Sequence, residues 1–278
     1  MIIDFHTHIF PDKMAEQTIK TLAAQSNTKP ICNGTFDSLL SSMKRSGVDY
    51  SVVLPVVTKP SQFESINRFA ASINNTEGII SFGGIHPDND NISEKLEYIK
   101  SLGLKGIKLH PDYQGGYIDD SRYIRIIKEC LRLDLCCLIH AGLDVGYPTP
   151  IHCPPDRIYI MLKEALAEYE PDSQKSIFPD KAPKIILAHM GGYLQWRLVE
   201  ELLVGQPVYF DLAFCNEKIE IAQLMRIIKK HGSHRVLYAT DSPWSDQKEM
   251  IEYVKNLPLS NEEIENILYK NAAKLLDL

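Results

Sequence analysis

Short apolar runs alternate with longer amphipathic stretches along this whole chain, and that alternation restricts the fold more than any other feature of the sequence. The runs cover residues 1–6, 50–56, 79–85, 106–110, 135–140, 184–188, 208–213 and 235–240. Several are rich in Val and Ile and apolar on both faces, as strands of a buried parallel sheet are. Amphipathic helices are expected between them. The first covers 38–46, led in by Thr35-Phe36-Asp37 and stopped by Gly47. Others are expected at 61–73, at 93–102 with Ser93 as cap and Gly103 as stop, and at 120–133, 155–169, 193–203 and 218–231. A last helix runs from the capping box Ser260-Asn261-Glu262-Glu263 to Leu276. Strand–helix alternation implies parallel pairing. Eight such units in 278 residues match a closed (β/α)8 barrel, the TIM barrel, in a single domain spanning 1–278. An open doubly wound sheet is the structural alternative, but no Gly-rich dinucleotide fingerprint accompanies it. No linker or composition break divides the chain. The longest irregular stretches are 142–154 and 170–183.

The first run ends in Phe5-His6-Thr7-His8. Side chains alternate along a strand, so His6 and His8 share a face, with Asp4 one layer below. Two imidazoles so placed make half of a metal site. Of nine histidines, six (His6, His8, His86, His110, His140 and His189) sit at or just past the C-terminal ends of expected strands. His152 follows in the loop after the fifth. In a barrel these strand ends gather on the face that carries active sites. By the same parity Lys108 and His110 share a face, and Asp241 follows Leu237 and Ala239 to the inner rim. His6, His8, His140 and Asp241 can then offer a borderline divalent ion three imidazoles and a carboxylate, with one position left for water.

Four stretches occur in an order that resembles the amidohydrolase superfamily: Ile3-Asp4-Phe5-His6-Thr7-His8, Leu138-Ile139-His140-Ala141-Gly142, Ile186-Leu187-Ala188-His189-Met190-Gly191-Gly192, and Tyr238-Ala239-Thr240-Asp241-Ser242-Pro243-Trp244. They are most similar to its compact amidohydrolase-2 branch of metal-dependent hydrolases. That branch also holds non-oxidative decarboxylases related to aminocarboxymuconate semialdehyde decarboxylase. Asn271-Ala272-Ala273-Lys274-Leu275-Leu276 carries the resemblance to the final helix. The resemblance implies one divalent ion per chain, zinc most often, on His6, His8, His140 and Asp241. It implies His189 and Asp241 as catalytic acid–base groups.

Lys108 stands where two-metal relatives carry a carboxylated lysine, so a second ion is one reading of the fourth strand. The other reading buries Lys108 against Asp4 and turns His110 to substrate. His86 and Trp244 are further candidates for substrate contact. Tyr113 is a candidate pocket wall, and the proline-rich 148–155 with His152 a candidate lid. The leading expectation is a hydrolase whose metal-activated water cleaves a small amide, ester or lactone. The alternative is a metal-dependent decarboxylase or hydratase of a small unsaturated or aromatic carboxylic acid. That alternative calls for Arg157 or Arg197 against the substrate carboxylate.

With a net charge of −6 and no Lys/Arg-rich run, nothing resembles a nucleic-acid footprint. No apolar run approaches the roughly 20 residues needed to span a bilayer. The chain opens on a core strand, not a signal segment, so no membrane partner and a cytoplasmic location are expected. Six cysteines form no C-x-x-C pair, and Cys136 and Cys137 read as small buried hydrophobes. The expected partner is a small-molecule substrate, and self-association into a homo-oligomer is left open.

Overall fold

The expected strands lie edge to edge in a computed structural model that describes residues 1–167 and 183–278. They are β1 (Ile3–Thr7), β2 (Tyr50–Val53), β3 (Ile79–Ser81, continued by Gly83–Gly84), β4 (Gly106–Leu109), β5 (Cys136–Ile139), β6 (Ile185–Leu187), β7 (Tyr209–Asp211) and β8 (Val236–Leu237). Each pairs in parallel with its neighbour in sequence. The ring closes between β8 and β1. Phe5 N–H donates to Tyr238 O at 3.0 Å, Asp241 N–H donates to His6 O at 2.8 Å, and Thr7 bridges Ser242. The chain is therefore a (β/α)8 barrel.

Alternation sorts the side chains into two cores. Ile3, Phe5, Val52, Phe82, Leu138 and Ile186 fill the barrel, and Leu275 and Leu276 of the last helix pack against them. Residues of opposite parity, such as Val53, Ile107, Cys137, Ile139 and Leu187, join the shell between strands and helices. Cys136 and Cys137 are buried free thiols in these two layers.

One strand breaks the alternation, and it corrects an expectation. Asp4 pairs with Ser51 but Thr7 with Val53, so three steps on β1 oppose two on β2. Such a bulge re-aims the side chains beyond it. With Ile3 and Phe5 pointing inward, Asp4 faces outward, away from the face it was expected to share with His6. It pairs with no lysine there. Instead it accepts from Thr240 N–H at 3.0 Å, Thr240 Oγ1 at 2.6 Å and Gln247 Nε2 at 2.9 Å. Burial pushes its pKa up to about 7 against these hydrogen bonds, which pull it down. Asp4 thus ties β1 to the turn after β8 and to the helix outside both.

Most helices fall where the periodicity places them. Thr35 and Ser38 form a reciprocal cap on Phe36–Ser46, and Gly47 ends it with φ of 69°. Ser93 does not cap its helix, which begins at Ile92, and its hydroxyl turns to Glu129. The helix expected at 155–169 is seen as Pro155–Ala165. Its last two residues, and nearly all of 170–183, lie outside the described residues. Helices Asp12–Ser26 and Gln247–Lys255 were not anticipated. The first buries only Ala15 and Ile19, too thin an apolar stripe to stand out.

Ser260 and Glu263 form the expected capping box. A π turn at Asn266–Lys270 interrupts the last helix, and Ile267 O there accepts Tyr238 N–H at 2.8 Å. Asn271 Nδ2 donates to Ser233 O and Val236 O, which fastens the same helix to the start of β8. Among the described residues no helix is long and apolar enough to cross a membrane.

Asp4→Ala leaves several buried donors without an acceptor, and each such loss costs about 1–3 kcal/mol. Urea denaturation should show a loss of stability of about 3 kcal/mol. A midpoint unchanged from wild type would show that Asp4 does not hold the seam.

Candidate metal centre

The bulge turns His6 toward the mouth of the barrel, where it meets His8. His6 Nδ1–H donates to Asp211 Oδ2 at 2.9 Å, and His8 Nδ1–H donates to Leu54 O at 2.8 Å. A carboxylate and a carbonyl only accept, so both imidazoles carry their proton on Nδ1 and a lone pair on Nε2. Those two Nε2 atoms stand 3.2 Å apart. Asp241 Oδ1 lies 3.4 Å from the first and 3.1 Å from the second. Three acceptors so close repel one another unless a cation joins them. Ligands about 2.0–2.2 Å from one ion stand at such spacings. The carboxylate behind His6 is the outer partner that metal-bound histidines use to fix their tautomer. His6, His8 and Asp241 therefore fit a divalent ion.

Lys108 Nζ, on β4, is 3.2 Å from His6 Nε2. Burial, and then the Lys108 ammonium, push the His6 pKa down to about 4, which keeps that imidazole neutral. Burial also lowers Lys108 to about 8, against the pull of Asp241 and Asp211. Asp241 goes the other way. Burial opposes its charge; positive charge where it faces His6 and His8, as an ion held there would supply, outweighs burial and holds it well below the usual carboxylate range. Asp241 and His189 both adopt left-handed backbone, with φ of 64° and 57°. Strain of this kind, about 1–3 kcal/mol at each residue, collects at functional sites.

His140 is not brought into this group, contrary to the expected ligand set. His189 Nδ1–H donates to Ala213 O at 2.8 Å, so its Nε2 accepts from His140 Nδ1–H at 3.1 Å. That contact turns the other edge of His140 toward His110 and Asp144, with which it forms a separate cluster. The two rings are locked because the loops after β5 and β6 touch. A Cβ at Gly142 would lie 2.1 Å from Tyr193 N. Both ring nitrogens of His189 are thus engaged, whereas a free acid–base group was expected.

The centre lies at the base of a cavity of about 680 Å³. Phe10, Phe69, Tyr113, Tyr193, Phe214 and Trp244 are among its walls, and Lys108 and His110 also line it. The unanticipated helix Asp12–Ser26 contributes Met14, Thr18 and Leu22. Their spacing of four was the one signal in the sequence that could have revealed it.

Other expected contacts do not reach the cavity. His86 accepts Asp88 N–H on its Nδ1 at 3.1 Å, and its own N–H donates to Asn89 Oδ1, so it closes the turn after β3. His152 Nδ1–H donates to Asp112 at 3.0 Å, which fixes the loop after β5 to the turn after β4. Arg157 pairs with Asp119 at 2.8 Å and lies 4.0 Å above the Tyr117 ring. Arg197 has 84% of its side chain exposed. Sequence reasoning passed over Asp211 and Asp144. Asp211 shares the inward parity of Tyr209 on β7 and could have been found by it. Asp144 sits in a loop, where parity says nothing.

Residues 3–278 match the model of the amidohydrolase family. No curated protein matches the sequence. Among solved structures, dihydroxybenzoic acid decarboxylase from Polaromonas sp. JS666, holding manganese and 2-nitroresorcinol, aligns with a TM-score of 0.69 at 15% identity over 100% of this chain and 97% of that one. The 5-carboxyvanillate decarboxylase from Sphingomonas paucimobilis aligns with a TM-score of 0.66 at 15% identity, over 100% and 99%. A Pseudomonas putida protein assigned as a 2-pyrone-4,6-dicarboxylic acid hydrolase aligns with a TM-score of 0.64 at 14% identity, over 99% and 97%. At these identities the likeness is one of fold.

Asp211→Asn removes the charge behind His6, and loss of such an outer partner typically weakens metal binding by about 10–100-fold. Competition with a chromophoric chelator measures this directly. Unchanged affinity would exclude a metal-orienting role for Asp211.

Proposed function

This chain belongs to the amidohydrolase family, and we propose that it is a divalent-metal-dependent decarboxylase of a small aromatic or unsaturated carboxylic acid, acting without an oxidant. The observation that carries this reading is the pair of unprotonated imidazole nitrogens and the Asp241 carboxylate at the base of an aromatic-walled cavity, with buried Lys108 Nζ donating to one of the two. The decarboxylases of similar fold act on hydroxylated benzoates of this kind.

A divalent ion on His6, His8 and Asp241 would supply positive charge to oxygens of the substrate as the carbon–carbon bond breaks. The chain's own groups do the rest. With both arginines turned away, the Lys108 ammonium draws the substrate carboxylate to the base of the cavity. Tyr113, Tyr193, Phe214 and Trp244 hold the apolar part and keep water out. The carbon that loses CO2 needs a proton. Asp241 takes one from a substrate hydroxyl or from water and returns it to that carbon. His189 acts as a positioning residue, since its ring is spent between Ala213 O and His140.

Hydrolysis of a small lactone, ester or amide is the second reading, and one observation favours it. Asp241 Oδ1 stands 3.1 Å from His8 Nε2, within reach of a water at that centre, where a carboxylate can accept its proton. Zinc and manganese are both compatible with two imidazoles and a carboxylate.

A panel of hydroxybenzoates, unsaturated acids and lactones tests this, with CO2 release and acid release followed separately. CO2 release is expected from at least one acid. Asp241→Asn should lower it by about 10²–10⁴-fold, and exhaustive chelation should abolish it. Turnover of lactones alone would pass the assignment to the second reading. Full activity after chelation would sink both.

A further inference from the structure

We propose that the substrate is an acid with a second ring, or an apolar arm of similar size, seated on the stripes that helices Asp12–Ser26 and Phe63–Ile73 turn to the cavity, with an anionic end group that meets Lys59. This names the substrate class of the site described above, and it rests on that reading for the reacting carboxylate at Lys108. Volume is the first argument. A cavity of about 150 Å³ holds one benzene ring, whereas this one offers about 680 Å³. A single-ring acid held by Tyr113, Tyr193, Phe214 and Trp244 leaves most of it unfilled.

The pattern on the two helices is the second argument. Met14, Thr18, Leu22 and Gln25 line the cavity and recur every three or four residues, so they form one stripe. Ala15 and Ile19, which the same helix buries, lie about a quarter of a turn from that stripe. Gln62, Ser65, Ile66 and Phe69 form a like stripe on the cavity wall. It too lies about a quarter of a turn from the buried Phe63, Asn67, Ala70 and Ile73. Each helix thus packs on the barrel with one face and turns another to the cavity. Leu22, Ile66 and Phe69 on these second faces are only half-buried. An apolar arm laid on them removes that surface from water, which is the main source of affinity in pockets of this kind.

Lys59 sets the charge at the end of the arm. Gln62 Oε1 accepts Thr58 N–H at 3.0 Å, the Thr58 hydroxyl at 3.0 Å and Lys59 N–H at 3.1 Å, which fixes this loop and leaves Gln62 Nε2 as a donor. Lys59 lines the same cavity, and among the described residues no carboxylate pairs with it. The acidic residues of the wall are turned elsewhere, Asp144 to His110 and Asp241 to His8. Lys59 is exposed, so its pull on an anion is modest and screened by salt.

Calorimetry on the full-length, Zn(II)-loaded protein tests this with three probes: salicylate, salicylate carrying a phenyl group para to its hydroxyl, and the same biaryl with a carboxylate on the far end. The phenyl compound should bind about 10–100-fold tighter than salicylate. The far carboxylate should add about twofold to fivefold at low salt, a gain that Lys59→Gln removes. Leu22→Trp and Thr18→Trp each fill the space with a side chain and should bring the ratio of phenyl compound to salicylate close to one. A crystal structure of the complex should place the second ring against Leu22, Ile66 and Phe69. Equal affinities in the wild type, a ratio that survives both tryptophans, or a second ring seated off these stripes would overturn the proposal. A carboxylate gain that Lys59→Gln leaves intact would overturn the role of Lys59. Binding is read without turnover, so the two claims fail separately. Tight binding of the phenyl compound by an enzyme that releases CO2 from no acid would uphold this inference and sink the reaction. CO2 release from hydroxybenzoates with equal binding of the first two probes would do the opposite.

Discussion

Two imidazole nitrogens are made to face each other with nothing of their own to share, and much of this barrel is arranged around that contact. Asp211 and Leu54 O take the protons from the far sides of His6 and His8, so neither ring can relieve the repulsion by turning a donor inward. Asp241 adds a third acceptor, from a backbone held at positive φ. Among the described residues Lys108 alone brings positive charge to the same point, and burial weakens its hold on its proton. A polypeptide stabilises such a cluster poorly by itself. A divalent ion removes the repulsion and accounts for the fixed tautomers at once.

The strand that carries this contact cannot be a regular one. Ile3 and Phe5 must point inward to fill the barrel, and strict alternation would then send His6 outward. The extra residue in β1 resolves the conflict. It leaves Asp4 outside to fasten the seam and returns His6 to the mouth. The seam is reinforced from the other end of the chain, where the last helix caps β8 through Ile267 O and Asn271. The first and last segments of the sequence therefore jointly fix where the ligands sit.

The barrel was legible in the sequence because a strand buried on both faces leaves an unbroken apolar run, and eight such runs leave few alternatives. Lys108 and Asp241 both line the cavity, on the side their parity suggests, although Asp241 lies beyond the end of β8 on a backbone of positive φ. Parity failed at Asp4 because a bulge has no signature in residue types. His140 was assigned by parity and resemblance to the first group, and the structure sets it in another. Its orientation depends on a hydrogen bond from a neighbouring strand, which sequence spacing does not encode. The helix Asp12–Ser26 was lost because it lies over a cavity and so lacks the apolar stripe of a helix packed on a core.

The distribution of charge around the cavity bears on the chemistry more directly than the fold does. The walls are aromatic and apolar, and the arginines that might have met a carboxylate are tied to Asp119 or face solvent. Negative charge on a substrate is then met at the base by Lys108 and by whatever ion the acceptors hold, or along the wall by Lys59, which also lines the cavity. A carboxylate bound there gives up its hydration for a few fixed positive charges, and breaking the bond to CO2 spreads its charge into the ring. A neutral ester or lactone gains nothing from Lys108 until an oxyanion forms. The same base thus favours an anionic substrate at binding and either substrate during reaction, so the preference between acids and lactones should appear first in affinity and only second in turnover.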